Sequence, residues 1–551
     1  MIRLHRSLIR SSGVLVLAAL WLGFTSFEAA AAHANPDKDL AVVITNRGSI
    51  KGTVAEGYRQ FLGVPYAAPP IGPLRWAPPQ PAAAWDATLD ARSFRSKCTQ
   101  STWAPPTVTQ GGEDCLYLNV YTPVSGKGHG KPVKPVMVWF HGGAFVGGSS
   151  QDVDGHLFAV KGDVVVVTVN YRLGVFGFFD SPALDAENPK HVSGNYGILD
   201  QQAALRWVQD NIRAFGGDPA QVTIAGQSAG AVSDWIHLVA PSSGGLFGKM
   251  IAESGPVLLQ PSAGMGRTDR VAGMRSRQED ETKGPSSRLI SALGCDGAPE
   301  VLACIRSKPT QAVFDALPVR SAKWGPVIDG VLLPDTVPAL IRRGAYKKIP
   351  ILMGGTRGES GFGVLSRLAN GGKPLTEEAY KALVSARPNG KRILAEYPAS
   401  KYSSADDASI RADDDGFVCS SLRTAEVLSV QVPLYMYEFQ DNNPPGTIFN
   451  VTVPATVHTQ AFHTAEISYV FQTGYPNESR PGLPPFSMAQ KTLSDRMIQY
   501  WSNFVQSGQP ESTWKPFSST AAFLLLRPEG DAPVAEDQLL AEHRCAFWAS
   551  L

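Results

Sequence analysis

The stretch that most constrains this chain is Gly226-Gln227-Ser228-Ala229-Gly230, set between the apolar run Gln221-Val222-Thr223-Ile224-Ala225 and a helix-like segment that opens at Ser228. A serine held on so sharp a strand-to-helix turn has its hydroxyl thrust clear of the backbone, and glycines flank it because side chains would collide at the bend. Such an elbow needs a buried strand before it and a packed helix after it. The bare pattern G-x-S-x-G arises by chance about 0.4 times in a chain of this length and composition. Its weight therefore comes from what surrounds it.

Residues 116–120, 136–140 and 163–171, the last with an unbroken Val164-Val165-Val166-Val167, are apolar, β-branched or aromatic and read as strands. The run 136–140 reads as buried on both faces. Residues 203–215 read as a helix and 222–225 as the strand feeding the elbow. Strand and helix alternating at this spacing predict an α/β fold, a mostly parallel sheet covered on both sides. Residues 40–45 and 50–53 suggest a short hairpin, and 61–76 a Pro/Gly-rich loop. No linker divides the chain, and 43% hydrophobic residues supply a large core, so residues 35–551 are expected to form one domain with long loop insertions. Ligands on such sheets bind beyond the carboxyl ends of the strands. Both His141-Gly142-Gly143-Ala144-Phe145 and Ser228 fall at that edge.

Before residue 35, Arg3, Arg6 and Arg10 precede an apolar stretch at 13–24 and small residues ending Ala32-His33-Ala34. This is the layout of a cleaved secretory signal, too short in its apolar part to span a bilayer. No later segment is apolar enough to span one. A formal net charge of +1 gives no reason to expect nucleic acid or an anionic membrane as a partner. Six cysteines, Cys98, Cys115, Cys295, Cys304, Cys419 and Cys545, follow the signal. In an oxidising compartment an even number suggests bridges, with the pairing left open.

A serine hydroxyl attacks a carbonyl at neutral pH only if an imidazole takes its proton and a carboxylate holds that imidazole. On an α/β sheet with this elbow the partners follow in the order serine, acid, histidine. Only His458, His463 and His543 leave room for an acid between. The acid should lie on a loop after a strand. Residues 349–355 read as such a strand and lead into Thr356-Arg357-Gly358-Glu359. Asp329, in Gly325-Pro326-Val327-Ile328-Asp329-Gly330, competes for the role but reads as a turn residue.

Gly194-Asn195-Tyr196-Gly197-Ile198-Leu199-Asp200-Gln201, then Ala204-Leu205-Arg206-Trp207-Val208-Gln209-Asp210-Asn211-Ile212, then Phe215-Gly216-Gly217-Asp218-Pro219 lead without a break into the elbow. This run resembles the type-B carboxylesterase and lipase family, α/β-hydrolases that include the cholinesterases, and the resemblance extends from about Val42 to the C-terminal residue. It implies the α/β-hydrolase fold, Ser228 as nucleophile, and the amides of Gly142, Gly143 and Ala229 as the oxyanion hole. His463, in Ala461-Phe462-His463-Thr464-Ala465-Glu466, matches the family's catalytic histidine, and Glu359 its acid. Ser360 stands between Glu359 and Gly361 where the family commonly has Gly directly after Glu. An ion pair with Arg357 is the plainer alternative for Glu359. Gln227 replaces a Glu that many relatives carry, and Ser233 and Ser254 match serines that support the triad. The resemblance also implies the pairs Cys98–Cys115, Cys295–Cys304 and Cys419–Cys545.

The expectation is a secreted or periplasmic serine carboxylesterase that cleaves small-molecule esters through an acyl-enzyme, with no metal or cofactor. A lipase or amidase of the same fold is the alternative within enzymes. A cholinesterase-like binding or adhesion protein is the alternative outside them. Residues around Trp103, Phe145 and the region after Gly255 are expected to line the pocket. Segments within 257–313 are expected on its rim, with the charged run 275–283 as a solvated loop. Asn450-Val451-Thr452 and Asn477-Glu478-Ser479 are formal glycosylation sequons.

Overall fold

A computed structural model describes residues 41–101, 108–124, 133–255, 275–276, 285–316, 324–445, 461–472, 485–518 and 523–551. The signal at 1–34, Trp103, all but two residues of the charged run, His458 and both sequons lie outside them.

The fold is built on an 11-stranded sheet. Its centre is parallel and runs Phe523–Leu526, Leu434–Phe439, Ile351–Thr356, Lys249–Glu253, Gly217–Gln227, Lys134–Phe140 and Val165–Val169. Antiparallel strands finish both sides: Ala532–Val534 at one end, and Tyr117–Pro123, Tyr58–Pro65 and Thr53–Ala55 at the other. The hairpin expected near the start is Val42–Thr45 paired with Gly48–Lys51.

The central strands read as continuous apolar runs because both of their faces are covered. Val136, Val138 and Phe140 point into one core, and Met137 and Trp139 of the same strand into the other. Helix Ala229–Val239 fills the first core with Trp235, Ile236 and Leu238. Helix Met488–Ser507 fills the second with Met497, Ile498 and Trp501. Each large side chain buried in this way contributes about 1.5–3 kcal/mol relative to exposure.

The helix expected at 203–215 instead runs Tyr196–Asn211 and tightens into a 3-10 turn at Ile212–Phe215. Its first two turns carry polar residues on the buried side, which hides the apolar period. Asp200 is there to receive Arg172, whose Nε and Nη2 donate to its two carboxylate oxygens at 2.8 and 2.7 Å.

Cys98–Cys115, Cys295–Cys304 and Cys419–Cys545 are each bonded, and no free cysteine remains among the described residues. Three bridges fit a protein that matures in an oxidising compartment. No helix among the described residues is long and apolar enough to cross a membrane.

Candidate active site

Strand Gly217–Gln227 ends at Ser228, which sits at φ 56°, ψ −119° before helix Ala229–Val239 begins. Few non-glycine residues tolerate that region. The neighbours hold it there: Ser228 N–H donates to Glu253 O at 2.9 Å, and the helix start is pressed against strand Lys134–Phe140. A Cβ on Gly230 would run into the carbonyl oxygen of Phe140. The glycine two residues after Ser228 is thus required by the close approach of two backbones.

The loop after Lys134–Phe140 comes to the same place. A Cβ built on Gly142 would lie 2.9 Å from Gln227 O and 3.1 Å from Ser228 Cβ, so the Gly142 backbone lies directly against the elbow. Gly143 takes φ 112° and its carbonyl accepts from Val146 and Gly147 in a tight turn. Among the described residues, none of the N–H groups of Gly142, Gly143 and Ala229 has an acceptor in the protein. Amides left without an acceptor beside a half-buried serine are what a developing negative oxygen requires. His141 is stacked on Tyr171, whose OH donates to the His141 carbonyl at 2.7 Å. Burial pushes its imidazole down to about 4. It is a neutral wall, not a base.

Glu359 and His463 are brought together from different parts of the chain. Glu359 lies three residues past strand Ile351–Thr356 and reaches back, accepting from Thr356 N–H at 2.7 Å through Oε1. Its Oε2 accepts from His463 Nδ1 at 2.5 Å. Gly358 N–H donates to Ala461 O at 3.1 Å, tying the acid loop to the chain that carries the histidine. Burial alone would lower the imidazole pKa. The Glu359 charge and hydrogen bond, with Glu466 nearby, outweigh it and raise that pKa above its ordinary value. With Nδ1–H donating to the Glu359 carboxylate, Nε2 presents a lone pair toward the elbow. There it takes the Gln227 side-chain amide at 3.4 Å and, among the described residues, makes no bond to Ser228 Oγ. Bonds of this kind often tighten only once substrate is seated.

Beneath the elbow lies a set of buried carboxylates. Ser254 Oγ donates to Glu466 Oε1 at 2.8 Å, and Trp501 Nε1 to Glu253 Oε1 at 2.7 Å. The second oxygens of Glu253 and Glu466, and both of Asp234, have no hydrogen-bond partner among the described residues. Burial, the largest cause, pushes Glu253 and Glu466 each up to about 8, and burial together with Glu253 pushes Asp234 well up. Burial in this dry interior, with repulsion from neighbouring carboxylates adding to it at Glu466 and Asp234, favours the protonated forms. Sequence reasoning assigned no role to Glu253, Glu466 or Asp234. The available signal was a Glu ending the apolar run 250–252 at a central strand.

Ser233 lies one turn into the helix, donates to Ala229 O at 3.0 Å and receives Gln201 Nε2 at 3.0 Å, so it acts on the helix start. Asp329 accepts from Asn195 Nδ2, Val331 N–H and Leu333 N–H, and is a turn residue. Arg357 pairs with Glu438 and Glu542 rather than with Glu359. Phe145, expected to line the pocket, is 2% exposed and packs its edge on Phe178. It belongs to the core because Ala144 and Phe145 both take left-handed backbone, which turns the chain inward after the glycines. No group of His, Cys, Asp and Glu arranged to hold a metal occurs among the described residues.

A strained serine elbow and a carboxylate-held imidazole at the carboxyl edge of a mostly parallel sheet belong to the α/β-hydrolase class of fold. The carboxylesterase family model matches residues 39–548. Carboxylesterase 5A of Felis catus is 33% identical over 97% of this chain and 97% of its own length. The acylcarnitine hydrolase of Mus musculus is 34% identical over 94% of this chain and 91% of its own. A solved PNB esterase superposes with a TM-score of 0.70 at 30% identity, covering 91% of this chain and 99% of its own. The chain belongs to the carboxylesterase family and is a carboxylic ester hydrolase.

Proposed function

We propose that this protein cleaves small, soluble carboxylic esters with Ser228, His463 and Glu359 as its catalytic triad. His463 Nε2 removes the Ser228 proton as Oγ attacks the ester carbonyl. The amides of Gly142, Gly143 and Ala229 take the negative oxygen that develops, and Glu359 steadies the imidazolium. His463 then returns the proton to the departing alcohol. Water enters and gives a proton to His463 as it attacks the acyl-serine, and the tetrahedral intermediate collapses to the acid while His463 returns that proton to Ser228 Oγ. Gln227 supports the resting state by holding Nε2 until substrate arrives. Residues 35–551 act as one unit behind a leader that is removed near Ala34, and the mature protein is exported.

The observation that carries this reading is the 2.5 Å contact between His463 Nδ1 and Glu359 Oε2, next to a serine strained at φ 56°. The test is hydrolysis of short p-nitrophenyl esters by the wild type and by Ser228→Ala, together with stoichiometric labelling by a fluorophosphonate. Turnover and labelling that both vanish in the variant support the proposal. Turnover that survives in Ser228→Ala refutes it. A marked preference for emulsified long-chain esters would move the enzyme to the lipases.

A further inference from the structure

His543 has no part in the chemistry above, yet it is fully buried at the end of helix Glu536–Glu542. Its Nδ1 lies 2.9 Å from Asp415 Oδ1, in the middle of helix Ala405–Ser429. Its Nε2 faces an ion pair from the other side, 3.1 Å from Glu438 Oε2 and 3.2 Å from Arg357 Nη1. Arg357 Nη1 donates to Glu438 Oε1 at 2.8 Å, and Nη2 to Glu542 Oε1 at 2.5 Å. Arg357 thus joins a strand of the sheet to the C-terminal helix, with His543 wedged behind the pair.

Arg357 is also the first residue of the acid loop, directly after strand Ile351–Thr356. Its N–H donates to Phe439 O at 2.9 Å, the next N–H holds Ala461, and the residue after that is Glu359. The same long helix reaches the loop again through Asp414, which accepts from Ser360 N–H at 2.8 Å. The disulfide Cys419–Cys545 closes the far side: Cys419 is one turn from Asp415, and Cys545 is two residues from His543.

We propose that His543 is a positioning residue for ester hydrolysis: wedged between Asp415 and the Arg357–Glu438 pair, it fixes the acid loop and thereby aims Glu359 at His463, with the Cys419–Cys545 bridge holding it in place. The inference rests on the Glu359–His463 reading. A carboxylate misplaced by about 1 Å costs about 10²-fold in rate even when the change is remote from the chemistry, and among the described residues the His543 ring nitrogens contact Asp415, Glu438 and Arg357, not Ser228 or the glycine loop.

The experiment is a double-mutant cycle on His543→Asn and Arg357→Gln. Asn keeps a donor toward Asp415, Gln at 357 keeps an amide donor toward Glu438, and circular dichroism confirms that each variant is folded. Each single change is expected to lower kcat about 10- to 100-fold with KM within about twofold, and to move the acid limb of the kcat/KM profile to lower pH as the imidazole loses its aligned carboxylate. The double variant should lose no more than the worse single one, since both act along one path. Leu428→Ala, a cavity in the same helix outside the network, serves as the destabilised control and should keep both kcat and the limb. Folded variants with unchanged kcat and pH profile overturn the inference. So does a Leu428→Ala protein with the same losses, which would reduce the effect to general instability. Full activity in Glu359→Gln would instead sink the triad reading, so the two failures are distinguishable.

Discussion

Replacing Gly142 by alanine tests whether the loop after the central strand supplies oxyanion donors. The added Cβ would stand 2.9 Å from both Gln227 O and Gln227 Oε1, about 0.5 Å inside ordinary contact, which begins at 3.4 Å. One of these atoms is main chain, so the conflict cannot be relieved by a side-chain rotation alone. The loop and the elbow must part by several tenths of an ångström, and catalytic groups tolerate about 0.5 Å before the geometry is lost. An oxyanion donor displaced that far is close to a donor removed, worth about 10²–10³ in kcat or about 2.7–4 kcal/mol of barrier. Because the negative oxygen exists only in the transition state, KM should change little. Gly363→Ala is the control, since a Cβ there meets nothing within 4 Å. The assay is steady-state hydrolysis of p-nitrophenyl acetate by both variants, with circular dichroism to confirm folding. A folded Gly142→Ala protein with kcat within about threefold of wild type would refute the placement of the oxyanion hole.

Other outcomes follow from the same geometry. Since the His463 pKa is raised above 6.5 and the base must be unprotonated, kcat/KM should fall with acid through a midpoint above 6.5. Glu359→Gln should move that midpoint to lower pH and reduce kcat about 10⁴-fold, measured as a pH–rate profile. Glu253 and Glu466 keep protons to about pH 8 that the unfolded chain releases near 4.5. Their contribution to stability is therefore complete below pH 4.5 and declines as pH rises toward 8. Glu253→Gln should accordingly gain more Tm over wild type at pH 8 than at pH 5. Gly230→Ala places a Cβ on a main-chain carbonyl and should cost more than about 3 kcal/mol in denaturant unfolding.

The parallel centre of the sheet was legible because its strands are apolar on both faces, as in Val136 to Phe140, and such runs have few other homes. The elbow was legible because glycine is enforced where backbones nearly touch. Chain order, together with the motif around it, singled out His463, and family resemblance, on a loop after a strand, pointed to Glu359. The start of helix Tyr196–Asn211 was not legible, because Asp200 and Gln201 place polar atoms where an apolar period was sought. Phe145 was misjudged because two successive left-handed residues reverse a side chain's direction without any local sign in the sequence. The carboxylates at 234, 253 and 466 escaped for a different reason. A charged residue reads as exposed until partners from distant segments are known, and Ser254, Trp501 and Glu466 meet only in three dimensions. The role of Arg357 was hidden in the same way, since Glu438 and Glu542 lie 81 and 185 residues away along the chain.

The account depends on Ser228, Glu359 and His463 converging with three backbone amides at one cleft. A crystal structure of the protein after reaction with a fluorophosphonate measures this most directly. It should show phosphorus bonded to Ser228 Oγ and the phosphoryl oxygen about 2.7–3.1 Å from the N–H groups of Gly142, Gly143 and Ala229, with the His463 imidazole still held by Glu359 and facing the adduct. Phosphorus on another residue, or a phosphoryl oxygen turned away from those amides, would contradict it.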